Sequence, residues 1–150
     1  MGTRYKGAED QMNALECYIK LMRASQSVTA RIPRHLRDWK LTPSQFSVLD
    51  ALYHLGPMSQ LALAQKNLMS PGNITTVVDN LEKRFLVKRR RQTEDRRLVK
   101  VYLTETGSKL FADVFPRHVE IIAREMGLLS APEQRELGRL CRKLGLRLSE

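Results

Sequence analysis

Between residues 70 and 103 the spacing of apolar side chains changes from helical to alternating, and the change is wrapped in basic residues. Ile74, Val77, Val78 and Leu81 recur at i, i+3, i+4 and i+7, which is one face of a helix. Val99, Val101 and Leu103 alternate with Lys100 and Tyr102, as in a half-buried strand. The segment between, Lys83 to Lys100 (KRFLVKRRRQTEDRRLVK), holds nine Lys and Arg against Glu94 and Asp95, or +7 of the chain's +10. Basic residues that only guard an edge strand against aggregation need number about two or three, and a solvated face would mix its signs. Charge so concentrated is what gripping a polyanion requires, because neutralised phosphates release their condensed counterions. Nucleic acid is the first expected partner.

The remaining composition narrows the class. At 150 residues and 42% hydrophobic content the chain suits one globular domain, or a small domain with oligomerisation helices. No apolar run approaches the roughly 20 residues that span a bilayer, and MGTRYKGAEDQM lacks the apolar centre of a signal peptide. A cytoplasmic protein without a membrane partner is expected. Cys17 and Cys141, 124 positions apart, form neither a disulfide framework nor a metal-ligand spacing, and both are read as reduced. His35, His54 and His118 fall at no ligand spacing, so neither metal nor cofactor is expected, and His118 reads as helix surface. There is no Gly-rich phosphate loop, no Gly-x-Ser-x-Gly turn, and no acidic pair outside a terminus or a turn. An enzyme is not expected.

Helix signals punctuate the rest. A long first helix runs from Asp10 to about Arg31 and stops at Ile32-Pro33. A short helical piece follows over Arg34 to Trp39. Thr42-Pro43-Ser44-Gln45 is a capping box with proline at the first helical position, opening a helix that Gly56-Pro57 ends. Ser59 caps a third helix, and Ser70-Pro71 opens the fourth. Its outer face gathers Gly72, Thr76, Asp79 and Lys83, flanked by Asn73, Thr75 and Asn80. Two strands, Val87 to Gln92 and Leu98 to Leu103, flank a turn at Thr93 to Arg97. Thr104 caps a fifth helix reaching about Met126, with Pro116 inside it and Gly127 as its stop. Ser130-Ala131-Pro132-Glu133 opens the last helix, to about Leu148.

The expected fold is therefore mainly α with a two-stranded β wing, a winged helix-turn-helix with N- and C-terminal dimerisation helices. Its divisions are 1–33 for the first dimerisation helix, 34–104 for the DNA-binding lobe and 105–150 for the C-terminal dimerisation helices. In such a fold the helix from Ser70 to Arg84 enters the major groove of double-stranded DNA, where Asn, Thr and Lys can read base edges and the helix N-terminus can hold phosphate. Ser70, Gly72, Asn73, Thr75, Thr76, Asn80 and Lys83 are its candidate contacts. From the wing, Arg89, Arg91, Arg96, Arg97 and Lys100 are candidates for the backbone or minor groove. Asp79, a carboxylate among phosphates, is expected to pair with a wing arginine or Lys83.

Over nearly its whole length the sequence resembles the MarR family of bacterial transcription regulators. The matching residues are LTPSQFSVL at 41–49, SPGNITTVVDNLEKR at 70–84, and Asp95-Arg96-Arg97 followed by Leu103-Thr104-Glu105-Thr106-Gly107, which matches the family's wing signature. The resemblance implies a homodimer joined by its first and last helices, bound to a pseudo-palindromic operator and acting as a repressor. It makes Asp95 the residue that orients the wing, Arg97 the minor-groove arginine, and Asn73, Thr75 and Thr76 major-groove residues. The run from Tyr53 to Arg84 also looks like the branch that responds to quinones and other phenolic electrophiles. On that likeness Trp39, Phe46, Tyr53 and His54 are candidates to line a site for a phenolic or quinone-like effector. The competing reading makes these aromatics ordinary core and helix-packing residues.

Phe85 departs from the family pattern, which commonly has glycine after the recognition helix. If the backbone there is left-handed, a bulky residue costs about 1–2 kcal/mol. Either the helix ends differently, or the fold bears the strain, or the ring packs against the wing. Cys17 stands 16 residues before Pro33, much as the reactive cysteine does in the hydroperoxide-sensing branch. Arg31 and Pro43 occupy the places of the two supporting tyrosines, which favours a buried or inert cysteine over a thiol-based oxidative-stress sensor. The alternative from a different class is a protein that coats nucleic acid without sequence preference. Only Phe85 and Tyr102 lie in the basic region, too few for the stacking platforms such proteins use.

Overall fold

The capping signals fix where each helix begins. The computed structural model describes residues 4–95 and 98–146. Helix α1 is Glu9–Arg31, followed by a 3-10 helix, Ile32–Trp39. Helix α2 is Pro43–Leu55; the Thr42 hydroxyl accepts from the Gln45 N–H and the Gln45 amide oxygen from the Thr42 N–H, both at 3.1 Å. Helix α3, Gln60–Lys66, starts at Ser59, and α4, Pro71–Lys83, starts at Ser70, each serine accepting a backbone N–H at 3.2 Å. Strands β2 (Val87–Arg91) and β3 (Val99–Leu103) form the expected antiparallel ribbon. A third strand, β1 (Met58–Ser59), pairs with β3 on its other side, so the sheet order is β1-β3-β2 rather than two strands. The two residues of β1, Met58 and the α3 cap Ser59, carry no alternation for a sequence reading to detect. Helix α5 is Glu105–Met126 and α6 is Ala131–Gly145; Leu148, the expected end of α6, lies outside the described residues.

The chain divides into two compact units. One is Pro33–His118; the other combines Met1–Ile32 with Val119–Glu150. The division between these units falls inside α5, whose first half buries Phe111 and Val114 fully in the lobe. The lobe core is one cluster running from Leu36 to Val114, in which Leu49, Leu63, Ile74, Val78, Leu81, Val87 and Val101 are each 1% exposed or less. In the other unit Ile121 is buried, while neither α1 nor α6 buries any described residue. Arg31 on α1 donates to Glu125 on α5 at 2.8 Å. Tyr18, Met22, Leu137, Leu140 and Leu144 remain exposed. Between α1 and α6 lies a cleft of about 570 Å³, lined by Cys17, Lys20 and Leu21 on one side and Leu137, Cys141 and Leu144 on the other. Both cysteines are exposed, so Cys17 is not the buried residue that one sequence alternative favoured.

Candidate DNA-binding site

Helix α4 divides into a buried and an exposed half. Ile74, Val77, Val78 and Leu81 are at most 7% exposed, which holds the opposite face outward. Ser70, Gly72, Asn73, Thr75, Thr76, Asn80 and Lys83 are all exposed there. Besides Ser70, whose hydroxyl caps the helix, two of these side chains are partly committed. The Thr75 hydroxyl donates to the Pro71 carbonyl at 3.0 Å and accepts from the Gln60 amide at 3.1 Å, and the Thr76 hydroxyl donates to the Gly72 carbonyl at 3.3 Å. Back-bonded in this way, the threonines offer a methyl group and an acceptor lone pair to whatever approaches.

The wing places its arginines in two different settings. Arg90 and Arg91 are exposed, with the Arg90 guanidinium 5.8 Å from the Tyr102 ring centre. In register Arg90 sits directly opposite Lys100, a like-charge cross-strand pair that disfavours the ribbon until an anion lies over it. Arg89, expected among the DNA contacts, instead turns to the protein. It donates to Asp79 at 2.6 Å, to Glu82 at 2.9 Å and to the Gln60 amide oxygen at 2.7 Å. Strand alternation carries the reason: Arg89 shares a face with Val87, which is buried against α4. Asp79 thus pairs with a wing arginine. The Asp95 carbonyl accepts the Leu98 N–H at 3.0 Å within the turn, and Arg96 and Arg97 lie outside the described residues.

Below the wing, the Leu-Thr-x-x-Gly motif has a structural basis. The Thr104 hydroxyl donates to the Phe85 carbonyl at 2.6 Å and accepts the Gly107 N–H at 2.9 Å, pinning the start of α5 to the end of α4. A Cβ at Gly107 would collide with the Leu86 carbonyl. Phe85 itself has φ +57°, the left-handed region where glycine is at ease, and its ring is 78% exposed. Of the three alternatives, the fold bears the strain, and the ring does not pack against the wing. Arg84, at the C-cap of α4, donates to the carbonyls of Lys40 and Trp39 at 2.6 and 3.2 Å, tying α4 to the end of the 3-10 helix.

The chain is similar to several known proteins. The model of the MarR family matches residues 41–99. The HTH-type transcriptional regulator MhqR of Bacillus subtilis is 34% identical over 133 residues, covering 89% of this chain and 92% of that protein. The chain belongs to the MarR family. The HTH-type transcriptional repressor NicR of Pseudomonas putida is 36% identical over 124 residues, 83% of this chain and 78% of NicR. Among solved structures, Bordetella bronchiseptica BpsR, whose DNA binding is regulated by 6-hydroxynicotinic acid, superposes with a TM-score of 0.78 at 29% identity, covering 86% of this chain and 98% of that one. MarR proteins are DNA-binding transcription regulators that act as dimers, not enzymes. In this member no described helix is long and apolar enough to cross a membrane.

The four aromatic candidates of this MarR-family lobe fall into one cluster but in unequal settings. Phe46 belongs to the buried core and stacks on Phe111 at 5.4 Å between centroids. Trp39 is half-buried against that core. Tyr53 and His54 are exposed, yet their ring centres lie 4.7 and 5.6 Å from that of Phe111, Tyr53 tilted against it and His54 edge-on. Besides Phe111, the structure adds two histidines that the sequence reading left out of this group. His118 is half-buried rather than helix surface: its ring lies 4.4 Å from Phe46, and its Nδ1 stands 3.3 Å from His35 Nε2. His35 in turn meets Trp39 edge-on. Burial lowers the His118 pKa from its ordinary value, His35 adds to that, and Asp50 opposes it. Residues 83 positions apart show no local pattern, and only the lobe's folding brings the two imidazoles together. Among the described residues no group of three or more His, Cys, Asp or Glu could hold a metal ion.

Proposed function

We propose that the protein is a dimeric, sequence-specific repressor, bound to a pseudo-palindromic operator and released by a small aromatic, phenolic or quinone-like ligand. The observation that carries the DNA half is α4, whose inner face is buried in the lobe core while seven short polar or basic positions stand exposed beside the basic ribbon. Asn73, Asn80 and Lys83 are the base-reading or phosphate-holding groups, and Arg91, Arg97 and Lys100 serve from the wing. Asp95 orients that wing. Dimerisation through α1 and α6 is supported by the uncovered Tyr18 and Met22 of α1 and leucines of α6, and by the open cleft between the two helices, since a single chain leaves both without any buried residue.

The ligand half rests on the aromatic cluster of Trp39, Phe46, Tyr53, His54, Phe111 and His118. Such a cluster offers flat apolar faces with imidazole donors at its rim, which suits a hydroxylated ring. BpsR, with its 6-hydroxynicotinic acid, lends the reading support. Release would follow from a change in the spacing of two recognition helices, since half-sites sit about 34–36 Å apart.

The test is binding of the purified protein to a duplex from its own upstream region and to random DNA at about 150 mM salt, with and without a panel of phenols, aromatic acids and quinones. Preference for the upstream duplex, lost on adding one compound, is the expected result. Equal, salt-labile affinity for both DNAs would replace the repressor by a coating protein. Arg97→Ala should weaken binding to the preferred duplex strongly while leaving the protein folded; wild-type affinity would remove Arg97 from the interface.

A further inference from the structure

The nine basic residues of the ribbon segment invite a single role, yet Arg84 is bound to the carbonyls of Lys40 and Trp39, and Arg89 is more fully engaged still. All three guanidinium nitrogens of Arg89 donate to protein acceptors: Nη2 to Asp79 at 2.6 Å, Nη1 to Glu82 at 2.9 Å and Nε to Gln60 at 2.7 Å. Its backbone N–H adds a fourth bond, to the second Glu82 oxygen at 2.8 Å. Asp79 and Glu82 stand at i and i+3 on α4, so strand β2 is anchored to one face of the recognition helix.

Gln60, the first residue of α3, extends the arrangement. A guanidinium has donors only, so the amide must turn its oxygen to Arg89. That orientation leaves the nitrogen for Thr75 on the exposed face of α4, at 3.1 Å. One closed set of hydrogen bonds therefore joins α3, α4 and the wing.

We propose that Arg89 and Gln60 form a clamp that sets the wing against the recognition helix, so that they govern which sequence the protein selects rather than how strongly it attracts phosphate. The leverage is geometric. A five-residue strand is about 17 Å long, so a rotation of roughly 10° at its base displaces the far end by about 3 Å, the length of a hydrogen bond. The clamp also has an electrostatic part. Asp79 and Glu82 are carboxylates on the helix expected in the groove, and Arg89 lies between them. Both residues are positioning residues, and the inference rests on the sequence-specific reading above.

The experiment compares wild type, Arg89→Gln and Gln60→Leu on the duplex that wild type selects from a randomised pool and on random duplex, across a salt series, with thermal unfolding alongside. Each variant is expected to lower the ratio of selected to random affinity about tenfold or more, the size of a good base contact, with the salt slope on random DNA unchanged. Gln60→Leu removes no charge and keeps the side chain's size, so it carries the test if Arg89→Gln unfolds. A fall in both affinities together, with the slope smaller by about one, would make Arg89 a phosphate contact and overturn the clamp. Variant ratios equal to wild type would overturn it too. A wild-type ratio near one sinks the specific reading and the clamp with it, whereas a large wild-type ratio that the variants retain sinks the clamp alone.

Discussion

The lobe from Pro33 to His118 and the helices on either side of it meet the same hydrophobic demand in different ways. The lobe closes on itself: its buried cluster runs from Leu36 to Val114, and its helices carry proline and serine or threonine caps that start them at defined residues. Helices α1 and α6 are amphipathic too, yet neither has a buried residue, and leucines 137, 140 and 144 remain 38%, 48% and 65% exposed. A single chain thus satisfies one region and leaves the other unfinished. The first has the properties of a rigid reader of DNA, and the second those of a surface that requires another surface.

Four experiments would break or sharpen that contrast. The largest effect is expected from Leu140→Glu combined with Leu144→Glu, which places two carboxylates on the uncovered face of α6. Sedimentation should show a monomer with a folded lobe, and affinity for the selected duplex should fall about a hundredfold or more, since two linked half-sites are lost as a unit. A dimer with unaltered affinity would assign the association to another surface. Next, Gly107→Ala drives a methyl group into the Leu86 carbonyl and should destabilise the lobe by about 2–3 kcal/mol in denaturant unfolding. A neutral result would mean that the start of α5 can move away from the end of α4.

Smaller effects probe strain and charge inside the lobe. Phe85→Gly relieves a left-handed backbone at a ring that is largely in solvent, and glycine's extra entropy cost offsets part of the relief. A net gain of roughly 0.5–1 kcal/mol is expected, read as a higher denaturant midpoint at unchanged slope. Destabilisation would show that the ring makes a contact in the dimer. The smallest effect is the pH dependence carried by His118. Its folded pKa lies below the ordinary 6.5, so the unfolded chain binds the extra proton first as pH falls. Its contribution to stability is complete above about pH 6.5 and declines as pH drops below that value, and His118→Gln should flatten that part of the melting-temperature profile. An unchanged profile would place the dependence on another group.

Much of the lobe was legible in the chain because its signals are local. Thr42 to Gln45, Ser59 and Ser70-Pro71 cap the helices where hydrogen-bonding chemistry requires, and the four apolar residues of α4 point inward as their spacing dictates. Strand β1 was not legible, since two residues have no period. Arg89 was legible in part: counting by twos from Val87 puts it on the α4 side, although its charge alone assigns it to DNA.

By itself the sequence determined the winged helix-turn-helix, the polar outer face of α4 and the concentration of charge, because caps, periodicity and composition act over a few residues. Only the tertiary structure decided which basic side chains remain exposed and which are spent on carboxylates, that His35 and His118 share a contact, and that Cys17 and Cys141 line one cleft. These are meetings of side chains tens of positions apart or on different elements. They depend on how helices and sheet come together, and no spacing along the chain encodes that.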